Sequence, residues 1–178
     1  MGSGNIKYIY AWKMMNKIKP DQLKDKMLLE NGFKTFGIEV PQIALDYLKN
    51  QDWEKLDQLV FEWTKKDGFL YSLLEKFHSF EKIEHLINRR LGENDEDGIW
   101  HYDGSRLMAF SLSLNQNVQS IKGGELLIRP RGKPDQVKSL GPFPLGTMTV
   151  FLTGQYGFEH KVCRVLEGER ITIAGWCS

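Results

Sequence analysis

The chain has 178 residues, 41% of them apolar, and a formal charge of +1; this length suits one soluble globular domain with a substantial core. The near-neutral balance gives no whole-surface argument for nucleic acid or a membrane, and no apolar run suggests a membrane span or a secretory signal. Two cysteines, Cys163 and Cys177, are too few for a secreted disulfide framework, so a reducing cytoplasm is the default compartment, with a bond between them left open.

From its beginning, Met1-Gly2-Ser3-Gly4 reads equally as a tag remnant or a native start. Ile6 stands where a myristoylation signal needs Ser or Thr. Ile6 to Trp12 is aromatic and β-branched and reads as a short strand. Pro20-Asp21-Gln22-Leu23 opens a charged helix that Asn31-Gly32 can close. Phe33 to Val40 reads as a strand, and Pro41 starts a helix with Ile43, Leu45 and Leu48 among its apolar positions. Asp52 is an N-cap candidate for the next helix, in which Leu56, Leu59, Val60 and Trp63 recur at helical spacing up to Asp67-Gly68. A third helix is expected over Phe69 to Phe80. These helices are expected to cover one outer face of a sheet, which needs a lid over its second apolar side.

From Ile83 the period changes to alternation. Ile83, His85, Ile87 and Arg89 alternate with Glu84, Leu86, Asn88 and Arg90, giving a strand that leads into an acidic loop, Gly92 to Gly98. Further strands are expected at 99–101, 107–114, 125–129, 147–152, 161–166 and 170–176. Short strands separated by turn residues argue for a sandwich or jelly roll rather than a parallel sheet. With no internal repeat or linker, the chain reads as one domain over 1–178, with 1–82 mainly helical support and 83–178 the β core.

The chemistry concentrates in the last third. His101 and Asp103 are two apart, so on an extended segment both side chains project to one face. That spacing suits one metal, with His160 as the third ligand. Two imidazoles and a carboxylate on one face of an ion leave the opposite positions open, the arrangement of a non-heme Fe(II) oxygenase. Arg170 lies ten residues beyond His160. By strand parity Arg170, Thr172, Ala174 and Trp176 share one face and Ile171 and Ile173 the other, so Arg170 and Thr172 can point together into the barrel. A buried guanidinium there calls for an anion, and its fork can clamp a carboxylate. The alternative is a surface pair with Glu167 or Glu169. His78 and His85 read as structural or surface residues.

From Ile83 to the end, the sequence resembles the 2-oxoglutarate and Fe(II)-dependent oxygenases, nearest to their prolyl-4-hydroxylase-like branch. Beyond His101, Asp103 and His160, the resemblance is carried by the strand 108–115 ending in Leu114-Asn115, by Gly123-Gly124-Glu125, by Gly146 to Phe151, and by Gly168 to Trp176. It implies an α+β fold in which a double-stranded β-helix, a jelly roll, carries N-terminal helices on one face. It also implies Fe(II) on His101, Asp103 and His160, and 2-oxoglutarate with its far carboxylate on Arg170 and Thr172. Dioxygen completes the set, with ascorbate as a candidate stimulant, and the products would be succinate, CO2 and a hydroxylated C–H bond. The implied substrate is a peptidyl or protein group ahead of a free small molecule; neither nucleic acid nor membrane is indicated.

Two departures stand out. Prolyl hydroxylase relatives commonly have a lysine where Arg170 stands. The strand before His101 has Asn88-Arg89-Arg90 where relatives often have a tyrosine that contacts the cosubstrate, leaving Asn88 or Arg90 as substitutes. Gly123 and Gly124 suit a turn or bulge. Lys122, Arg129, Arg131, Lys133 and Lys138 give a local basic excess that suits either an acidic partner or a guarded strand edge. Trp100 and Tyr102 are candidates for orienting the ligands, for the substrate mouth, or for plain packing. The alternatives to an enzyme of this kind are a barrel that binds metal or 2-oxoglutarate without turnover, as a sensor or interaction module, and a cupin-like metalloenzyme.

Overall fold

The computed structural model describes residues 23–178. The strand expected over Ile6 to Trp12 therefore lies outside the described residues. Helix α1 spans Lys26–Asn31, capped by the Asp25 carboxylate accepting from the Leu28 N–H and closed by Gly32 in the left-handed region. Pro20 to Gln22, where a helix start is expected, lie outside the described residues; Leu23 bridges His78, and the Asp25 cap opens this helix. Strand β1 (Phe33–Gly37) follows, then α2 (Gln42–Lys49) with Pro41 at its N-cap. Asp52 caps α3 (Trp53–Thr64) by accepting from the Lys55 N–H. Helix α4 is only Phe69–Leu74, shorter than the periodicity suggests. After it the chain turns so that His78 is fully buried, bonded through Nδ1 to the Ser79 carbonyl and through Nε2 to the Tyr156 hydroxyl.

Nine strands follow: β2 (Ile83–Leu91), β3 (Met108–Ser113), β4 (Lys122–Gly123), β5 (Leu126–Pro130), β6 (Lys138–Leu140), β7 (Thr147–Leu152), β8 (Phe158–Val162), β9 (Val165–Glu167) and β10 (Glu169–Cys177). All pairings are antiparallel. The major sheet has the order β1-β7-β3-β10-β2 and the minor sheet β6-β5-β8, with β4 and β9 forming a small pair. Two expectations differ in detail. The run 161–166 is two strands, β8 and β9, broken at a corner, and the segment around His101 is a single bridge to His160 rather than a strand. Strand β1 pairs with β7 from Phe33↔Phe151 to Gly37↔Thr147 and closes one edge of the major sheet.

Two apolar layers result. On one face of the major sheet the helices bury Leu28, Leu56, Val60, Leu70 and Leu74 against Phe110, Leu112, Met148, Val150, Ile171 and Ile173; each fully buried side chain contributes roughly 1.5–3 kcal/mol. On the other face Ala109 and Phe151 meet Leu126 and Ile128 of the minor sheet, with Val162 and Trp176 packed against them. The second layer is thinner and gives way at one end to polar side chains. This is a jelly roll with helices on one outer face, an α+β fold. No helix among the described residues is long and apolar enough to cross a membrane. Cys163 is half-buried and Cys177 buried, and both are free thiols.

Candidate metal centre and acid-binding pocket

His160 sits mid-strand on β8, opposite Ile128 on β5, and is buried with that neighbour between the sheets. The bridge to His101 is made by backbone bonds in both directions, His101 N–H to His160 O at 3.0 Å and the reverse at 2.8 Å. It brings the two rings to a centroid separation of 4.2 Å. Asp103 arrives on a turn with φ +59°, in the left-handed region, which side chains other than Gly, Asn and Asp seldom adopt. The turn is pinned from outside: the Arg106 N–H donates to the Asp103 carbonyl and the Gly154 N–H to the Tyr102 carbonyl. Gly154 is required for this, since a Cβ there would meet the Gly104 carbonyl oxygen at 2.0 Å.

Ligand atoms of His101, Asp103 and His160 lie within 4.8 Å of one another, the one such group of three among the described residues. His101 Nε2 is 3.5 Å from Asp103 Oδ1 and His160 Nε2 is 3.6 Å from Asp103 Oδ2. The second is not an ion pair, because burial and then the neighbouring His101 hold His160 neutral, its pKa pushed down to about 3. Burial also raises the Asp103 carboxyl above the usual range, against the opposing pull of His101, the Trp176 indole and Arg106. His101 Nδ1 is engaged with the Ile99 carbonyl at 2.9 Å, which leaves Nε2 as the free lone pair. His160 Nδ1 is buried with no hydrogen-bond partner. Donors spaced this way fit one ion with bonds of roughly 2.0–2.2 Å. A divalent cation would also compensate a carboxylate that burial otherwise disfavours.

The pocket beyond this triad is built by β10. Arg170 is 6% exposed and Thr172 2%, and Arg170 Nη1 donates to Thr172 Oγ1 at 3.3 Å. No carboxylate among the described residues pairs with this guanidinium. Burial first, and then the nearby Arg90, push its pKa down to about 10, opposed by Asp95, so it is charged at neutral pH. The cavity around it is lined by Ser111, Ser113, Thr149, Thr172 and Phe143. Gly124 makes room for the arginine: at φ +76°, a Cβ there would sit 2.8 Å from Arg170 Cδ. On the other face of the same strand, Ile171 and Ile173 belong to the helix-side core, as parity required.

Other candidates resolve as follows. Arg90 is consumed as a latch, with Nε on Asp95 at 2.9 Å, Nη1 on the Cys163 carbonyl and Nη2 on the Glu96 carbonyl. Asn88 is paired in register with Thr172, so it shares that side chain's face. Trp100 and Tyr102 each meet an arginine: the Arg129 guanidinium lies 3.8 Å over the Trp100 ring and Arg131 4.1 Å over that of Tyr102, and Arg129 is paired with Glu159. The basic excess is likewise partly neutralised, since Lys122 pairs with Glu167. His85 reaches Asp57.

Sequence reading missed two residues. Asn115 accepts from the Ile171 N–H and donates to Ser113 Oγ and the Phe143 carbonyl, fixing both the strand with Arg170 and the loop that rims the pocket. The Leu-Asn strand end was visible, but its bonding was not. Trp176 donates from Nε1 to Asp103 Oδ2 at 2.9 Å; parity placed it on the right face without naming a partner.

The sequence model of the 2OG-Fe(II) oxygenase superfamily matches residues 89–178, which is half of the chain and contains His101, Asp103, His160, Arg170 and Thr172. No curated protein sequence matches. Among solved structures, the fold is similar to a prolyl-4-hydroxylase from Pseudomonas putida, with TM-score 0.60 and 20% identity over 84% of this chain and 89% of that one. It is also similar to a prolyl hydroxylase from Trichoplax adhaerens solved with a hypoxia inducible factor peptide fragment, with TM-score 0.60 and 14% identity over 98% and 94%. A third is the viral collagen prolyl hydroxylase of Paramecium Bursaria Chlorella virus-1 in its 2OG complex, with TM-score 0.52 and 17% identity over 82% and 94%.

Proposed function

The chain belongs to the 2OG-Fe(II) oxygenase superfamily, whose members use Fe(II), 2-oxoglutarate and O2, and from that premise we propose that it hydroxylates a C–H bond of a peptidyl substrate. His101, Asp103 and His160 would hold the iron, and Arg170 with Thr172 the far carboxylate of 2-oxoglutarate. When bound, iron and cosubstrate supply the oxidising power for the hydroxylation, with succinate and CO2 as the other products.

The chain's own residues bind and orient. His160, neutral and buried, offers a lone pair at any pH above the acid range. The Ile99 carbonyl holds His101 in the tautomer that leaves Nε2 free. Arg170 presents a desolvated positive fork, and Thr172 a hydroxyl beside it, so a carboxylate there gains charge-assisted bonds in a site with little water. The observation that carries the reading is this pairing in one barrel of a three-donor cluster with a buried arginine that no carboxylate among the described residues pairs with. A peptidyl substrate is favoured because the His101 side chain is 44% exposed, which leaves the centre reachable by a polypeptide. The Trichoplax adhaerens relative, solved with a peptide, points the same way.

The test is turnover. Purified protein given Fe(II), ascorbate and 2-oxoglutarate should form succinate slowly without substrate, and incubation with candidate proteins and metabolites should yield a product heavier by one oxygen. If neither succinate nor 2-oxoglutarate binding is seen under varied conditions, the barrel is a non-catalytic metal-binding module.

A further inference from the structure

Asp103 poses a problem that its own turn does not solve. Its backbone holds φ +59°, a conformation that persists in a non-glycine residue when surrounding contacts enforce it. Its carboxylate must keep one oxygen available while lying largely buried, at 6% side-chain exposure. The turn bonds at Tyr102, Ser105 and Arg106 fix the backbone but do not touch the carboxylate. The side chain that does is Trp176, whose indole N–H donates to Oδ2 at 2.9 Å.

Trp176 is itself held. Its ring lies 5.0 Å from the Arg106 guanidinium, a cation–π distance, and Arg106 is fixed by Nη2 on Glu84 Oε2 at 3.0 Å. Glu84 is the cross-strand partner of Trp176 on β2, so the chain of contacts closes on itself: β10 to Asp103 through the indole, and back to β2 through Arg106 and Glu84. We propose that Trp176 is a positioning residue for the metal centre, its N–H occupying Asp103 Oδ2 so that the carboxylate meets the ion through Oδ1 alone, with Arg106 and Glu84 keeping the indole in place. The inference rests on the triad holding a metal.

Metal binding by the protein, without turnover, tests it. Mn(II) affinity and the Co(II) absorption spectrum are measured on wild type, Trp176→Phe and Glu84→Gln, beside thermal unfolding of each metal-free protein. Trp176→Phe keeps an aromatic ring but removes the donor, and should weaken Mn(II) binding about tenfold or more, the range found when a ligand's hydrogen-bond partner is lost. The Co(II) bands should shift while metal-free stability changes little, and Glu84→Gln should move the same readings in the same direction by less. Should Trp176→Phe fail to fold, benzothienylalanine at position 176 preserves the shape of indole and removes only the N–H, and its result stands in. A folded variant with wild-type Mn(II) affinity and an unshifted Co(II) spectrum overturns the proposal. Failure of wild type to bind either metal defeats instead the reading on which it rests.

Discussion

Strand β10 has two faces that meet different worlds. Ile171 and Ile173 enter the helix-side layer with Phe110's neighbours and are satisfied by contact alone. Arg170, Thr172 and Trp176, one residue out of phase, enter the barrel, where a guanidinium is desolvated without a carboxylate and an indole N–H is aimed at a buried aspartate. The first face is built for stability. The second carries groups that a protein selected for stability alone would replace, since an unpaired buried charge is costly and an apolar substitute often as stable or more so. The groups whose burial stability does not explain all lie on the second face.

Substitutions should separate the two faces. Phe110→Ala, emptying a fully buried position on the helix side, should cost about 3–5 kcal/mol of unfolding free energy; urea denaturation measures it. Arg170→Leu on the other face should leave metal-free stability unchanged or raised and Mn(II) occupancy largely intact. It should weaken 2-oxoglutarate binding by roughly ten- to a hundredfold, the worth of a lost charge-assisted contact. Equal effects of the two substitutions on stability would erase the contrast. Gly124→Ala is subtler: its Cβ displaces the Arg170 stem and strains a positive-φ position, so both stability and cosubstrate affinity should fall. The drop in affinity should be smaller than that of Arg170→Leu.

The smallest expected effect lies at His78, on the helical side. Burial there, outweighing the bond to the Ser79 carbonyl, lowers the imidazole pKa below its ordinary 6.5. The unfolded chain then takes up the proton first as pH falls. The stability this neutral histidine supports is present above pH 6.5 and is lost progressively below it. Between pH 7.5 and 5.5 wild type should lose more stability than His78→Gln. Equal losses in the two proteins would mean that burial does not hold this ring neutral.

Much of the site was legible because strand parity is a local property. Two residues apart on an extended segment share a face, so His101 with Asp103, and Arg170 with Thr172, could be paired on paper. Asp52 and Gly32 announced their helix ends for the same reason, since capping acts within one turn. The shortening of α4 and the corner at 163–164 were not legible, because helical spacing from Phe69 to Phe80 and the apolar run 161–166 satisfy their periods regardless of where the tertiary structure bends them.

The sequence by itself determined which side chains share a face and which chemical types are present: imidazole, carboxylate and guanidinium on the inward side, branched apolar groups on the outward side. Only the tertiary structure decided that His101 bridges His160 across the sheet edge, that Arg90 reaches the Cys163 carbonyl rather than the pocket, and that Trp176 holds Asp103. The reason is range. Pleat and capping act between neighbours a few residues apart, whereas these contacts join residues separated by 59, 73 and 73 positions, and such partners are chosen by how the two sheets close on each other.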